Sequence, residues 1–380
     1  MHIDTIRGGR GVRILLVIEP SGGGSGRHVI DLAQGLIDGG HRVSLIYSPT
    51  RAEPRFEAEA AALPLQHLER LPLHRAVGPW DIPALIGLRR LIARLGPFDI
   101  IHGHSAKAGA LARLAAPQSA ARIYTPHALA TQNPMKVGAT PYGLVETLLA
   151  RLASEAVIAV SDEEALHAAR RGFPIERLHT IPNGLTACQS ADRLAARRIM
   201  SLAEDAWVVG FVGRLCPQKD PVRFAQALRL AHARDPRIIG AMIGEGPLSD
   251  DARAAGGEAV RLLGALDARP LMAGFDLFAM TSRYEGFSYA MVEAAAAGLP
   301  ILTTAVGGVS TLAQAGARIT PLPLWATARQ WADALVTAFS QPTPPSVAPG
   351  LVERFSAARM TADTIAVYRM AHARRWAARG

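Results

Sequence analysis

The sequence predicts an α/β protein made of two doubly wound domains that face each other across a cleft. The chain has 380 residues, and a typical length of about 150 residues per domain predicts two domains. In both halves, short apolar runs alternate with amphipathic segments and glycine turns, which is typical of parallel sheets covered by helices. We expect the first domain at 1–188, the second at 189–350, and a basic C-terminal helix at 351–380 that packs back on the first domain.

The charge of the chain restricts the partners that it could bind. The formal net charge is +9, with 49% hydrophobic and 19% charged residues. This basic balance favours phosphorylated substrates or an anionic membrane surface, whereas the lack of a Lys/Arg run disfavours nucleic acid. No stretch of about 20 apolar residues occurs, so the sequence predicts a cytoplasmic protein. The inner face of the cytoplasmic membrane is a candidate surface for peripheral contact.

The first predicted strand, 12–18, leads into a glycine-rich turn. The run GGGSG at 22–26 precedes a predicted helix at 28–40 and a strand at 42–47. Such a βαβ unit brings backbone N–H groups close to a phosphate. As a dinucleotide fingerprint the run is imperfect, and 48–51 lacks the acidic residue that would bind a ribose. A tight turn without a ligand is the alternative interpretation.

The rest of the first half continues the alternation of strands and helices. A predicted helix at 82–95 carries Arg89, Arg90 and Arg94, either as a solvated face or as a contact with anionic lipid. The other predicted elements are a strand at 98–102, a helix from 105, a strand at 122–125, a helix at 141–153, a strand at 156–160, a helix at 162–171 and a strand at 178–181.

Three histidines fall at or just past the ends of predicted strands in this half: His102, His104 and His127. Their residue type would permit a metal site. However, the chain has neither an HExxH nor a DxD pattern, so we predict that no metal is bound. His127 precedes a predicted loop at 128–140 that would cover the site, and it is the histidine that we expect to act.

Arg214 and Lys219 lie on the loop between a predicted strand at 206–212 and a helix at 221–233. Their charges suit a diphosphate, because each charge-assisted hydrogen bond contributes roughly 1.5–3 kcal/mol. A pair of surface charges is the alternative. The other elements predicted here are a helix at 191–200, a strand at 237–243 and a short strand at 261–266.

The stretch 274–308 places two carboxylates within one strand–loop–helix unit. An apolar strand is followed by Glu285 in a glycine-containing loop and by a predicted helix at 289–297 that carries Glu293. The N-terminus of a helix that follows a parallel strand favours anions. Carboxylates at this place are therefore better suited to accept hydrogen bonds from the hydroxyl groups of a sugar or a ribose.

Several of these motifs occur together in the order found in one enzyme family. They are GGGSGRH, TPHA, VIAVSDEEA, HTIPNG, GRLCPQK, IGEGPL and EGFSYAMVE, the last with the E-x7-E spacing of Glu285 and Glu293. Over nearly its whole length the chain resembles the retaining family 4 glycosyltransferases of the GT-B fold. The segment HGHSAKAGALARLAA is similar to that of members that build bacterial surface polysaccharides.

The resemblance implies a role for each matched position. Arg214 and Lys219 would bind the donor diphosphate and stabilise the leaving group, and Glu285 would contact the donor sugar. His127 would lie near that sugar, and Glu293 would bind the ribose hydroxyls. The positions whose backbone would meet the donor are Gly23 and Gly24 at the diphosphate, Gly286, Phe287 and Ser288 at the sugar and distal phosphate, and Arg261 to Gly264, with Leu263, at the base.

The implied function is a metal-independent transfer with retention of configuration. The donor would be a nucleoside diphosphate sugar, a UDP-sugar in preference to a GDP-sugar, and no cofactor is expected. The acceptor would be a lipid-linked glycan in the synthesis of surface polysaccharide or lipopolysaccharide. One alternative is an NAD(P)-dependent oxidoreductase that uses the N-terminal glycine turn. The other is a catalytically inactive relative that still binds nucleotide sugars.

Overall fold

The computed structural model describes residues 11–74, 76–134, 140–187 and 191–377. The chain divides into two compact units, the first made of 1–186 with 356–380 and the second of 187–355. The predicted boundary at 188–189 and positions 135–139 of the predicted loop lie outside the described residues.

The first unit contains a parallel sheet with helices on both faces. Its strands are β1 (Arg13–Ile18), β2 (Arg42–Tyr47), β3 (His67–Arg70), β4 (Ile100–His104), β5 (Ala121–Thr125), β6 (Ala156–Ala159) and β7 (Leu178–Thr180). Its helices before the second unit are α1 (Gly23–Asp38), α2 (Pro54–Ala62), α3 (Asp81–Leu95), α4 (Ala106–Ala115), α5 (Thr140–Leu152) and α6 (Asp162–Arg170). The strand order is β3-β2-β1-β4-β5-β6-β7, a doubly wound sheet as predicted.

Strand β1 shows why this sheet is covered on both faces. Its side chains alternate between two hydrophobic clusters: Ile14 and Leu16 pack on the side of α1, whereas Leu15 and Val17 pack on the side of α3 and α4. Because successive side chains of a strand point to opposite faces, a continuous apolar run buries both faces at once.

Helix α1 begins at Gly23 rather than at residue 28, which corrects the predicted start. The glycine run forms its first turn, with Gly23 at a left-handed φ of +56° and a hydrogen bond of 3.1 Å from the Gly26 N–H to the Gly22 carbonyl. A Cβ on Gly26 would lie 3.1 Å from the ring of Phe56 in α2. Tertiary packing against that ring therefore outweighs the weak helix propensity of glycine.

The second unit contains another doubly wound parallel sheet. Its strands are β8 (Trp207–Val212), β9 (Ile238–Ile243), β10 (Val260–Leu262), β11 (Leu277–Met280), β12 (Ile301–Thr304) and β13 (Ile319–Leu322). Its helices are α7 (Arg193–Ile199), α8 (Pro221–His232), α9 (Ser249–Gly256), α10 (Tyr289–Ala296), α11 (Val309–Gln314), α12 (Ala328–Ser340) and α13 (Leu351–Arg354). The strand order is β10-β9-β8-β11-β12-β13.

A buried ion pair anchors α7 to this sheet. Arg197 is fully buried and donates to the Asp276 carboxylate over 2.7 Å, and the same carboxylate accepts from the Val208 N–H over 2.7 Å. Arg193, which is 42% exposed, also pairs with Asp276. The negative charge of the Asp276 carboxylate is therefore balanced by two guanidinium groups and one backbone N–H.

The chain then returns to the first unit through α14 (Ala357–Ala377). Met360, Val367 and Tyr368 of this helix belong to the hydrophobic cluster that also contains α1 and β1. At the return, the Ala357 N–H donates to the Leu185 carbonyl over 2.9 Å. The two segments that leave and re-enter the first unit therefore lie side by side.

Several elements have no counterpart among the predictions: α2, β3, α9, α12 and β13. Strand β3, HLER, contains one aliphatic residue and lies at the edge of its sheet. Such short polar strands lack the apolar alternation on which sequence assignment depends.

None of the described helices is long and apolar enough to cross a membrane.

Candidate functional site

The charged residues of the second unit meet at the point where its strand order reverses. From β8 the chain proceeds to β9 and β10 on one side, whereas β11, the other neighbour of β8, leads to β12 and β13. In open α/β sheets, ligands bind at the carboxyl ends of the strands at such a switch point. Arg214 and Lys219 follow β8, and Glu285 follows β11, so residues far apart in the chain share this place.

Lys219 and Glu285 form a nearly buried ion pair. The Lys219 Nζ lies 2.6 Å from the Glu285 Oε1, with the two side chains 16% and 9% exposed. Arg214, on the same loop as Lys219, is exposed. The site thus offers one cation held in place by a carboxylate and one that is accessible to an anionic ligand.

The loops after β8 and β11 are held together by residues that sequence reasoning missed. The hydroxyl of Thr281 donates to the carbonyls of Lys219 and Asp220, each over 2.9 Å. The Asp220 carboxylate accepts from the Arg283 Nε over 3.0 Å. Asp220 has a φ of +50° and precedes the Pro221 that starts α8. An Asp-Pro pair next to the predicted Lys219 was the signal available in the sequence.

The loop that carries Glu285 is shaped by the glycine turn after β12. A Cβ on Gly307 would lie 2.4 Å from the carbonyl oxygens of Glu285 and Gly286. Gly308 has a φ of +88°, and its Cβ would lie 1.9 Å from the Phe287 ring. Only glycine permits this approach.

The same loop leads directly into α10. Gly286, Phe287 and Ser288 are buried, and Ser288 is the N-cap of α10, which has no acidic residue in its first turn. The positive end of this helix is therefore not neutralised by a side chain of its own. Glu293 lies further along α10 and is half-buried.

The predicted base-binding segment, Arg261 to Gly264, consists of the end of β10 and the two residues after it. Arg261 belongs to β10, and its guanidinium donates to the Ser201 carbonyl over 2.7 Å. The Leu263 N–H donates to the Met242 carbonyl, and the Gly264 carbonyl accepts from the Gly244 N–H, each over 2.8 Å. Arg261 is thus engaged in packing, and Leu263 lies beside the carboxyl end of β9.

In the first unit, the predicted residues lie at the carboxyl ends of β1 and β5. Gly23 and Gly24 form the first turn of α1, where Gly24 is exposed. His127 follows β5 in a left-handed conformation with a φ of +54°, and Ala128 continues it with a φ of +86°. Two consecutive non-glycine residues at positive φ cost conformational energy, so other groups must hold this turn.

Glu164 of α6 holds the turn at Ala128. Its carboxylate accepts from the Ala128 N–H over 2.6 Å and from the Val160 N–H over 2.8 Å. Burial raises the pKa of Glu164 to about 7. The sequence signal was the S-x-x-E pattern of Ser161 and Glu164, which ordinarily indicates only a helix cap. The Ser161 hydroxyl does accept from the Glu164 N–H, over 3.2 Å.

A cluster of neutral histidines surrounds His127. The His104 Nδ1 lies 3.1 Å from the His127 Nε2, and the His28 Nδ1 lies 3.0 Å from the Asn183 Oδ1. Burial lowers the pKa of His28 to about 4 and holds the pKa of His104 and of His127 well below the ordinary value. All three imidazoles are therefore uncharged at neutral pH.

His102, a member of the histidine set considered in the sequence, has both ring nitrogens occupied. Its Nδ1 lies 2.7 Å from the Tyr368 hydroxyl and its Nε2 lies 2.8 Å from the Thr125 hydroxyl. In its place the structure brings His28 to His104 and His127, and one ring nitrogen of each lies within 4.8 Å of the others. Within the part of the chain that the structure describes, these three form a group that could hold a metal ion.

Each of the two units matches a family model of glycosyltransferases. Residues 22–187 match the model described as Glycosyltransferase Family 4, and residues 206–341 match the model described as Glycosyl transferases group 1.

Two relatives illustrate the similarity. The chain is 25% identical over 248 residues to the UDP-Gal:alpha-D-GlcNAc-diphosphoundecaprenol alpha-1,3-galactosyltransferase of Escherichia coli, covering 61% of this chain and 64%, less than two thirds, of that protein. It is 28% identical over 328 residues to the D-inositol 3-phosphate glycosyltransferase of Stackebrandtia nassauensis, covering 76% of this chain and 73% of that protein.

A solved structure shows the same fold. HepE of Anabaena in complex with UDP-glucose superimposes with a TM-score of 0.72 at 22% identity, covering 93% of this chain and 99% of that one. With this fold and a matching family model over each unit, the chain belongs to the family 4 glycosyltransferases of the GT-B fold.

Proposed function

We propose that the protein transfers a sugar from a UDP-sugar to a lipid-linked glycan acceptor, with retention of configuration, in the synthesis of surface polysaccharide or lipopolysaccharide. The observation that carries the proposal is the arrangement of Arg214, Lys219 and Glu285 at the switch point of the second unit. It combines two cations, which suit the diphosphate of one donor molecule, with a carboxylate that can accept hydrogen bonds from the hydroxyl groups of its sugar.

The two cations supply the charge that a departing diphosphate needs. As the glycosidic bond breaks, negative charge grows on the leaving phosphate, and fixed cations accelerate the step if they bind this charge more strongly than they bind the intact donor. Arg214 and Lys219, with the N-terminus of α10, fill this role without a metal ion. Glu285, already paired with Lys219, then accepts hydrogen bonds from hydroxyls of the donor sugar.

Retention is proposed to follow a same-face substitution. The bond from the anomeric carbon to the leaving phosphate oxygen breaks, and the acceptor hydroxyl forms its bond on that same face while its proton passes to the leaving phosphate. No protein nucleophile takes part in this scheme. The ion pair between Glu285 and Lys219 supports a binding role for Glu285 rather than a nucleophilic one.

The choice of donor and acceptor rests on the relatives. The name of the Escherichia coli relative contains a UDP-sugar and a diphosphoundecaprenol acceptor, and HepE was solved with UDP-glucose. The uracil would lie at Leu263 beside the end of β9, and Glu293 would accept from the ribose hydroxyls. Gly23, Gly24 and His127 of the first unit are assigned to the donor by the family resemblance.

Peripheral membrane contact is proposed from the surface of α5. This helix exposes Leu144 (69%), Val145 (51%), Leu148 (52%) and Leu152 (71%), at the i, i+4, i+8 spacing of one helical face. An exposed apolar face on a basic protein suits the inner leaflet, where a lipid-linked acceptor would be presented. Co-sedimentation with liposomes of anionic and of zwitterionic lipid tests this: equal binding to both would contradict it.

The donor assignment is tested by thermal shift with UDP, GDP, their sugars and NAD(H), because a ligand that binds only the folded state raises the melting temperature. We expect UDP-sugars to give the largest shift. Lys219→Ala and Arg214→Ala should each reduce this shift and lower turnover by about 10²–10³-fold.

Lys107→Ala provides the matched control for these variants. Lys107 also forms a nearly buried ion pair, with Asp81 at 2.7 Å, but it lies in the first unit. This variant should keep the UDP shift. Near-wild-type turnover in Lys219→Ala, or a larger shift with NAD(H) than with any UDP-sugar, would refute the assignment.

A further inference from the structure

Three histidines from separate elements converge in the first unit. His28 comes from α1, His104 ends β4, and His127 follows β5. One ring nitrogen of each lies within 4.8 Å of the others, and His28 and His104 are buried. Their convergence depends on the sheet order, which places the carboxyl ends of β1, β4 and β5 together.

The spacing of two of these nitrogens is close to that of metal ligands. The His104 Nδ1 and the His127 Nε2 are 3.1 Å apart, and two imidazole nitrogens on a tetrahedral zinc ion with bonds of 2.0–2.1 Å are about 3.3 Å apart. A metal ion could therefore replace the proton between these two nitrogens, and the His28 ring, whose nitrogen lies within 4.8 Å of both, would move closer to complete the site.

The tautomer of His28 is set by a contact outside the group of three histidines. At His28 the amide oxygen of Asn183 faces the Nδ1, so that nitrogen carries the proton and the Nε2 keeps its lone pair. An outer partner of this kind is what orients a metal-binding histidine.

The neighbouring buried histidine does not belong to this group. His102, in contrast, is committed to Tyr368 and Thr125 through both nitrogens.

We propose that His28, His104 and His127 bind one divalent first-row metal ion of the zinc class. Three imidazoles leave the charge of such an ion uncompensated, so its fourth position would take a water molecule or an anionic oxygen. This site is separate from the cations of the second unit, and it is not needed to stabilise the leaving diphosphate. Where the proposed function holds, an ion on His127 would occupy a residue assigned to the donor sugar and inhibit transfer.

The test is a cobalt titration of the full-length chain, without an affinity tag and after removal of metals by a chelator. Co²⁺ bound by imidazoles at low coordination number gives intense visible absorption bands, whereas hexaaqua Co²⁺ gives weak ones. We expect saturation at about one equivalent per chain, displacement by Zn²⁺, and loss of the bands in His104→Gln and in His127→Gln. Asn183→Ala should weaken binding by about 10–100-fold.

His102→Gln is the matched control, because it changes a buried histidine whose ring lies beside that of His104 but whose nitrogens are both occupied. Because His102 lies outside the proposed group of ligands, this variant should keep the cobalt bands. Circular dichroism identifies any variant that does not fold. If His104→Gln is unfolded, the cobalt bands of His127→Gln, on the turn after β5, provide the test of the metal site. A wild-type chain without intense bands, or bands that persist in a folded His104→Gln or His127→Gln, would overturn the proposal. The readout needs neither donor nor acceptor, so it is independent of the proposed transfer.

Discussion

Replacing Glu164 by glutamine should change how the stability of the first unit depends on pH. The Glu164 carboxyl is fully buried and accepts two backbone N–H groups, those of Ala128 and Val160. Burial outweighs these two donors and raises its pKa from 4.5 to about 7. Glutamine has nearly the same shape and keeps an acceptor oxygen, but it cannot ionise.

The size of the effect follows from linkage between protonation and folding. Between its unfolded and folded pKa the carboxyl binds more protons in the folded state, so its contribution to stability is greatest at low pH and is lost as pH rises through about 7. Between pH 5 and pH 8, a shift from 4.5 to about 7 removes about 2.5 kcal/mol from the free energy of unfolding. The free energy of unfolding of Glu164→Gln does not decrease in this way, because glutamine does not ionise.

The measurement is urea unfolding of both proteins, followed by circular dichroism, at a series of pH values. The difference between their free energies of unfolding should change by about 2.5 kcal/mol in favour of the variant from pH 5 to pH 8. The buried histidines are common to both proteins and cancel in the difference. A constant difference would refute the raised pKa. A change of opposite sign would mean that the two N–H donors stabilise the carboxylate more than burial destabilises it.

Two further predictions use pairs of matched variants. In a thermal-shift assay, Gly308→Ala should lower both the stability and the affinity for UDP, because its Cβ would lie 1.9 Å from the Phe287 ring. Gly350 also has a positive φ, but a Cβ on it would have nothing within 4 Å. Gly350→Ala should therefore lose only about 1 kcal/mol of stability. Equal losses would contradict the packing argument. Arg197→Met should cost about 1–3 kcal/mol in urea unfolding, because the Asp276 carboxylate loses its buried partner but keeps Arg193 and the Val208 N–H. Arg193→Met, at a 42% exposed position, should cost about 1 kcal/mol or less.

The features with local signals were predictable from the sequence. The apolar runs at 12–18 and before Glu285 indicated strands, and the glycine run after the first of them indicated a turn that leads into a helix. The meeting of Lys219 with Glu285 also followed, because a doubly wound order brings the ends of neighbouring strands to one place. Whether these residues bind the donor remains a prediction.

The supporting contacts could not be predicted, because they depend on side chains from distant elements. The S-x-x-E pattern at 161–164 indicates only a helix cap, whereas one oxygen of the Glu164 carboxylate accepts from the Ala128 N–H after another strand. His28 was overlooked because α1 begins at Gly23, which places His28 in the second turn of the helix, facing His104 and His127. In both cases the tertiary packing, rather than the local pattern, decides the contact.

The late return of α14 has a consequence for folding during synthesis. Met360, Val367 and Tyr368 complete the hydrophobic cluster on α1 and β1. Thr361 packs against Gly35 of α1 so closely that a Cβ on Gly35 would lie 2.3 Å from the Thr361 hydroxyl. A nascent chain exposes this apolar surface until the ribosome has passed the whole second unit. The usual order, in which the N-terminal domain folds first, is therefore reversed: the second unit is the first that can finish folding.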